Sequence, residues 1–200
     1  MRMMKVNEIF YSLQGEGHFT GTPAVFIRLS GCNLKCDFCD TSHREGTEMS
    51  EDEIITQVRK YQARHIVITG GEPTLQLTAT LVEAMHREKR FVQIETNGTV
   101  KLDPQLLSLI DWITCSPKFG ILPNIQRIDE LKVVFDYLHP EQIGKLDAVT
   151  TTHRDTYYLQ PCDRTNLDYN TRNIAACVSY ILQHPKWKLS LQTHKLLGIR

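Results

Sequence analysis

The 200-residue sequence lacks any long hydrophobic run and any excess of charge of one sign. A membrane-spanning helix needs roughly 20 consecutive apolar residues, so no transmembrane segment is predicted. Lys and Arg number 23, as do Asp and Glu, so nothing supplies a general attraction for nucleic acid or anionic lipid. Residues 1–8 have no apolar core of the kind a secretory signal contains, which predicts a cytoplasmic protein without nucleic-acid or membrane partners.

Repeats, low-complexity tracts and Ser- or Pro-rich linkers are also missing, which predicts one domain over residues 1–200. Short runs rich in Val, Ile and aromatic residues alternate with helical patterns, as in βαβ units. In several of these runs apolar and polar residues do not alternate, which indicates parallel strands buried on both faces. The predicted strands are residues 24–29, 65–69, 91–95, 112–115, 131–135, 156–160 and 188–191.

The chain is shorter than the roughly 250 residues of an eight-fold barrel, so we expect an abridged, TIM-like α/β barrel or a smaller open α/β sheet. Three helical patterns separate the strands. A capping box, Ser50 to Glu53, begins the first. The others are apolar stripes expected to face the core: Leu77, Leu81 and Met85, and then Ile174, Cys177, Val178, Ile181 and Leu182.

Polar or glycine-rich turns follow successive predicted strands. The carboxyl ends of parallel strands meet at one edge of a sheet, where α/β folds bind their ligands. We therefore predict that these turns surround one site. They are residues 31–32, 70–73, 96–98, 116–118, 161–163 and 193–195.

Three of the six cysteines, Cys32, Cys36 and Cys39, lie within eight residues of one another. A structural zinc site would need a fourth ligand, for which His43 is a formal candidate. An electron-transfer cluster would require a fourth cysteine in the pattern, which is absent. The third interpretation, which the spacing favours, is a three-cysteine iron–sulfur cubane with one open iron.

The CxxxCxxC spacing after the first predicted strand, with Phe38 before the last cysteine, resembles the radical S-adenosylmethionine (SAM) superfamily. The resemblance implies a [4Fe-4S] cluster held by the three cysteines, with SAM bound at the fourth iron. Gly70, Gly71 and Glu72 resemble the superfamily's GGE motif, which contacts the methionyl group of SAM.

Within that superfamily the sequence is similar to the 7-carboxy-7-deazaguanine synthases of queuosine biosynthesis. The similarity rests on residues 11–17, 21–28, 31–34, 39–41, 95–98, 116–118, 160–163 and 192–195. It implies a partial radical SAM barrel of mostly parallel strands, and a lyase that converts 6-carboxy-5,6,7,8-tetrahydropterin into 7-carboxy-7-deazaguanine with release of ammonia. SAM is then used catalytically, and no side chain is assigned as catalytic, because SAM and the cluster carry the radical chemistry.

The resemblance also implies a set of binding residues. The SAM pocket is expected to contain Gly70, Gly71, Glu72, Gly98, Ser116, Pro117, Lys118, Gln160, Pro161, Cys162 and Asp163. Substrate contacts are expected from Leu13, Gln14, Gly15, Glu16, Arg28, Thr96, His194 and Arg200, with residues 1–23 contributing to the substrate site. Thr41 is the matching ligand for Mg²⁺.

Reduced flavodoxin or a ferredoxin-type protein is the implied electron donor. A short chain leaves barrel edges open, so a homodimer is expected. Two alternative functions belong to different functional classes. A glycyl-radical-activating enzyme of the same superfamily would act on a partner protein and would have no use for a pterin pocket. A non-enzymatic zinc module would hold one zinc and no iron.

Overall fold

Each predicted strand forms in the computed structural model, which describes residues 2–39 and 45–200. The strands are β1 Met3–Leu13, β2 Pro23–Leu29, β3 Thr47–Ser50, β4 His65–Gly70, β5 Phe91–Thr96, β6 Trp112–Cys115, β7 Glu130–Phe135, β8 Tyr157–Pro161 and β9 Lys188–Leu189. The helices are α1 Glu51–Val58, α2 Ala79–Arg87, α3 Pro104–Leu109, α4 Glu141–Gly144, α5 Leu167–Gln183 and α6 Thr193–Leu197.

The described strands form one nine-stranded sheet in the order β3-β1-β2-β4-β5-β6-β7-β8-β9. From β2 to β9 every neighbouring pair is parallel, which confirms the predicted α/β class. Burial of both faces explains the missing alternation: residues 65–68 of β4 are all buried.

Two strands, β1 and β3, are missing from the sequence prediction. β1 pairs antiparallel with both β2 and β3, at one side of the sheet. Met4 and Val6 are buried in the main core, and Phe10 is buried in a second apolar cluster with Ala24, Phe26 and Val67. A bulge between Val6 and Glu8 shifts the register, so the strand has no continuous period-2 pattern to recognise in the sequence.

The structure confirms the predicted capping box of α1 and the predicted apolar face of α2. Ser50 accepts from the Glu53 N–H at 3.3 Å, and the Glu53 carboxylate accepts from the Ser50 N–H at 2.8 Å, which completes the capping box. Leu81 and Met85 of α2 are fully buried. No helix in residues 2–39 and 45–200 has the length and apolar character that crossing a bilayer would require.

The predicted apolar face of α5 is wrong in part. Cys177 is fully buried as expected, but Ile174, Val178 and Leu182 are exposed. The helix instead buries Asn173, whose Nδ2 donates to the Phe135 carbonyl at 2.9 Å and to the Cys162 carbonyl at 3.0 Å. These two carbonyls lie at the ends of β7 and β8, and satisfying them turns a different face of α5 towards the sheet.

A loop of residues 14–22, called here the floor loop, joins β1 to β2. Leu13 pairs with Pro23, so the loop leaves and enters the sheet at the amino end of β2. The Phe19 ring lies 4.6 Å from the His65 ring and 4.9 Å from the Trp112 ring, between centroids. His65 and Trp112 begin their strands, so the floor loop covers the amino ends of the parallel strands.

Candidate active site

The predicted turns do converge on one pocket at the carboxyl edge of the parallel strands. Cys32, Cys36 and Cys39 line it, as do all the predicted substrate residues: Leu13, Gln14, Gly15, Glu16, Arg28, Thr96, His194 and Arg200. Among the predicted SAM residues, the lining includes Gly70, Gly71, Ser116, Lys118, Gln160, Pro161, Cys162 and Asp163. Glu72, Gly98 and Pro117 lie outside the lining. Thr41 and His43 lie outside the described residues.

The cysteine loop follows β2 and is held by side-chain hydrogen bonds. Asn33 Nδ2 donates to Thr99 Oγ1 at 2.8 Å, and Asn97 Nδ2 donates to Asn33 Oδ1 at 2.9 Å. The Leu34 N–H donates to Cys32 Sγ at 3.4 Å. The turn after β5 therefore fixes the start of the cysteine loop.

The three thiols act on one another electrostatically. Burial raises the pKa of the Cys36 thiol, Lys118 opposes this shift, and Cys39 and Cys32 add to it. Three sulfurs that repel each other as anions suit a cationic iron centre, so the donor set fits an iron–sulfur cluster. Within the described ranges, no three His, Cys, Asp or Glu side chains lie close enough together to hold a single metal ion.

Glu72, which is predicted for the SAM pocket, turns its carboxylate into the protein. Its side chain is fully buried and accepts from Thr96 Oγ1 and from the Asn97 N–H, both at 2.7 Å. Its carboxylate thus orients the turn after β5, which carries the pocket residue Thr96 and the Asn97 amide that holds the cysteine loop. The structure places Glu72 behind the pocket wall.

A charged cluster forms the pocket floor. Lys132 Nζ donates to Glu16 Oε2 at 2.5 Å and to Glu95 Oε1 at 3.3 Å, and the Lys132 side chain is only 6% exposed. Burial alone would raise the pKa of Glu16, but the Lys132 ammonium and hydrogen bonds from Lys132 and Gln192 lower it to about 2. Burial would lower the pKa of Lys132, but Glu16, Glu95 and Glu130 raise it. Glu16 and Lys132 are therefore an ion pair at neutral pH.

A second charged group lies on the opposite wall. Arg28 Nε is 3.4 Å from Glu8 Oε1, and Arg200 also forms an ion pair with Glu8. The Ser12 hydroxyl donates to the backbone oxygen of Arg200, which holds this residue beside β1. The Glu8 carboxylate thus lies between two guanidinium groups that both line the pocket.

Helix α6 closes the pocket over the floor loop. The Thr193 N–H and hydroxyl both donate to the Gly15 carbonyl at 3.0 Å. A side chain at Gly15 would collide with the His194 ring, because an ideal Cβ there lies 2.2 Å from His194 Nδ1. A glycine is needed here to let the imidazole lie against the floor loop.

The SAM-side residues also have protein partners. Lys118 Nζ donates to Ser116 Oγ at 2.7 Å, and Asp163 pairs with Lys195 at 2.7 Å. Gln160 donates to Glu16 Oε1 at 3.1 Å, which places its amide in the floor cluster. Gln160 therefore lies between the predicted SAM-binding residues and the predicted substrate-binding residues.

Sequence reasoning did not identify Lys132 or Glu95 as site residues. The signal was available in Lys132, which interrupts the apolar run of β7. A lysine buried in a strand must be paired, because an isolated charge in the interior is very costly. Its partners, however, come from the floor loop and from β5, which no local pattern connects to β7.

Known proteins resemble this chain in sequence. Residues 26–118 match the Radical SAM superfamily. The chain is 50% identical to the 7-carboxy-7-deazaguanine synthase of Bacteroides thetaiotaomicron, over 99% of this chain and 100% of that protein. It is 37% identical to the synthase of Haemophilus influenzae, over 96% of this chain and 92% of that protein.

Two solved structures share the fold. The crystal structure of QueE from Escherichia coli superposes with a TM-score of 0.74 at 28% identity, covering 94% of this chain and 93% of that one. Streptococcus suis SuiB bound to S-adenosylmethionine superposes with a TM-score of 0.54 at 16% identity, covering 80% of this chain and 48% of that one. The second likeness is one of fold alone.

Proposed function

This chain belongs to the 7-carboxy-7-deazaguanine synthase family of radical SAM enzymes, and from that premise we propose how its pocket binds and orders the reactants. The enzyme is a carbon–nitrogen lyase that uses a [4Fe-4S] cluster and SAM. Its substrate in this proposal is 6-carboxy-5,6,7,8-tetrahydropterin, and its products are 7-carboxy-7-deazaguanine and ammonia. The alternatives, a glycyl-radical-activating enzyme and a zinc module, are not favoured by these relatives.

The observation that carries the proposal is that one pocket has guanidinium groups on one wall and carboxylates on its floor. Arg28 and Arg200 share one carboxylate, Glu8, whereas the floor sets two carboxylates, Glu16 and Glu95, against the ammonium of Lys132. A substrate with a carboxylate at one end and an N–H-rich ring at the other suits this pocket. The planar guanidinium of Arg28 is matched to bidentate binding of a carboxylate.

Cys32, Cys36 and Cys39 would hold the cluster, and the fourth iron stays available to SAM. When bound, the cluster and SAM supply one-electron chemistry that removes a hydrogen atom from the substrate and later returns it. Ser116 and Lys118 would receive the polar groups of SAM, next to the glycine turn at residues 70–71. Helix α6 and the floor loop separate the substrate from bulk water on the other side.

Thr41 is proposed as a Mg²⁺ ligand, since hard cations prefer oxygen donors and usually keep several waters. A cation held next to the cysteine loop would pair with the substrate carboxylate and polarise it. Reduced flavodoxin or a ferredoxin-type protein is the proposed electron donor.

Turnover tests the function directly. We expect anaerobically reconstituted protein, given SAM, reductant and the carboxytetrahydropterin, to release the deazaguanine and ammonia while the SAM concentration stays constant. Chromatography of pterin, product and SAM from one time course measures all three. Consumption of SAM in proportion to turnover would contradict the catalytic use of SAM, and an absence of deazaguanine would contradict the proposed activity.

A homodimer is proposed from the exposed face of α5. Leu167, Ile174, Val178 and Leu182 are 79%, 45%, 38% and 80% exposed, and their spacing places them along one side of the helix. A second copy of the chain would bury this stripe against its own equivalent, as twofold symmetry allows.

Sedimentation tests this interface. We expect wild-type protein to sediment at twice its 23.0 kDa mass at micromolar concentration, and Val178→Glu to shift the protein to monomer. The buried charge would cost several kcal/mol per subunit unless the interface opens. Met3→Glu, at a 47% exposed residue on β1, is the matched control and should stay dimeric. A monomeric wild type would refute the interface.

A further inference from the structure

Lys132 is a buried cation that the resemblance does not assign to any role. It lies in β7 between Leu131 and Val133, which are both buried, and its own residue is 5% exposed. Its ammonium lies against two carboxylates, one from the floor loop and one from β5. A lysine so placed is kept ionised by its partners, and in turn it keeps them close together.

Glu16, the first partner, has both oxygens engaged. Oε2 accepts from Lys132, and Oε1 accepts from Gln160 Nε2 at 3.1 Å and from Gln192 Nε2 at 2.9 Å. An ionised carboxylate offers about four lone-pair positions. Three are used, so Glu16 retains about one acceptor position, and its side chain lines the pocket.

The carboxylate of Glu95, the second partner, also accepts three hydrogen bonds. Oε1 accepts from Gln14 Nε2 at 3.0 Å and from Lys132 at 3.3 Å, while Oε2 accepts from Thr69 Oγ1 at 3.3 Å. By the same count Glu95 retains about one acceptor position, and it also lines the pocket. The floor therefore offers two negatively charged acceptors held on either side of one ammonium.

The charge on this floor is not balanced by the protein. One ammonium faces two carboxylates, and the carboxyl of Glu130, two residues before Lys132, lies near the same ammonium. Burial raises the pKa of Glu130 to about 7 against the opposing effect of Lys132, so this group adds further negative charge above neutral pH. The excess favours a ligand edge that donates N–H groups.

We propose that Lys132 is the positioning residue of the pocket floor, holding Glu16 and Glu95 so that their remaining acceptor positions receive N–H donors from the 2-amino-4-oxopyrimidine ring of the substrate. This inference rests on the proposed function, which supplies a substrate with such a ring. Lys132 acts through the two carboxylates and sets selectivity for the amino-substituted ring over a ring with a carbonyl at the same position.

The test compares two stable ligands on reconstituted enzyme with SAM and no reductant, so that nothing turns over. The probes are 6-carboxypterin and 6-carboxylumazine, which carries a carbonyl in place of the 2-amino group. We expect calorimetry to show wild-type protein binding the pterin at least about 100-fold more tightly, since a site built to accept N–H groups rejects an acceptor. In Lys132→Met the ratio should fall below about tenfold, because the two carboxylates repel and lose their common anchor.

Two controls and a second variant separate positioning from general damage. SAM affinity and iron content should be unchanged in Lys132→Met, and the exposed Lys101→Met should keep the wild-type ratio. Glu95→Gln keeps the side-chain size but replaces an acceptor with a donor, so its ratio should also fall. If Lys132→Met does not fold, Glu95→Gln decides the question.

Some outcomes would overturn the proposal. If Lys132→Met weakens both ligands equally and keeps the ratio, Lys132 is only structural. If wild-type protein binds the two ligands equally but still produces the deazaguanine, the inference about the floor fails and the proposed function stands. If wild-type protein binds neither ligand and forms no product, the proposed function itself fails.

Discussion

Cys36→Ala is expected to abolish both cluster assembly and turnover while leaving a folded chain. Its sulfur is one of three that would hold the cubane, and two thiolates leave two irons without protein ligands. Iron per chain after anaerobic reconstitution should fall from about four to near zero, with loss of the cluster absorbance. Product formation should fall below detection, because the other pocket residues that the structure describes supply no one-electron chemistry to SAM.

The matched control for that variant is Cys177→Ala. Cys177 is also a thiol, but it is fully buried in α5, within the main hydrophobic core. Removing its sulfur should cost about 1 kcal/mol of unfolding free energy through a small cavity, and leave iron content and turnover intact. Circular dichroism and urea unfolding on both variants separate loss of the cluster from loss of the fold. A full complement of iron in Cys36→Ala would contradict the assignment of this cysteine.

The parallel part of the sheet could be predicted from sequence because its signals are local. Runs such as His65–Gly70 and Phe91–Thr96 combine β-branched residues with strand length, and parallel pairing then places their following turns at one edge. The parallel pairing alone therefore predicts that residues from distant parts of the chain meet in one pocket. β1 was not predicted because the bulge between Val6 and Glu8 interrupts its in/out alternation.

The direction in which a side chain points could not be predicted with the same success. Glu72 follows the expected glycines, but its carboxylate turns inward to Thr96 and Asn97, because three donors there need an acceptor: Thr74, Thr96 and the Asn97 N–H. Likewise α5 turns Asn173 inward, at the expense of Ile174. In both cases buried backbone or hydroxyl groups decide the orientation, because leaving them unpaired would cost about 1–3 kcal/mol each.

The turn at Gly70–Gly71 connects the sheet to the cysteine loop through the backbone alone. The Gly71 N–H donates to the Leu29 carbonyl and the Glu72 N–H to the Gly31 carbonyl, both at 2.8 Å. An ideal Cβ on Gly71 would lie 1.9 Å from the Gly31 carbonyl oxygen and 2.4 Å from its carbon. Both atoms belong to the backbone, so a side chain at Gly71 forces either this turn or the start of the cysteine loop to move.

Gly71→Ala is therefore expected to weaken SAM binding at least about tenfold, since the loop that presents the open iron and the turn beside it are pushed apart. Overpacking should also lower the unfolding free energy by about 1–3 kcal/mol. Gly144→Ala at the end of α4, where an added Cβ meets nothing within 4 Å, is the matched control. It should bind SAM like the wild type and gain up to about 1 kcal/mol from a less flexible unfolded chain. Calorimetric titration of SAM into reconstituted protein, with urea unfolding of the same samples, decides the matter. Wild-type affinity together with wild-type stability in Gly71→Ala would mean that the turn and the cysteine loop are not coupled through this contact.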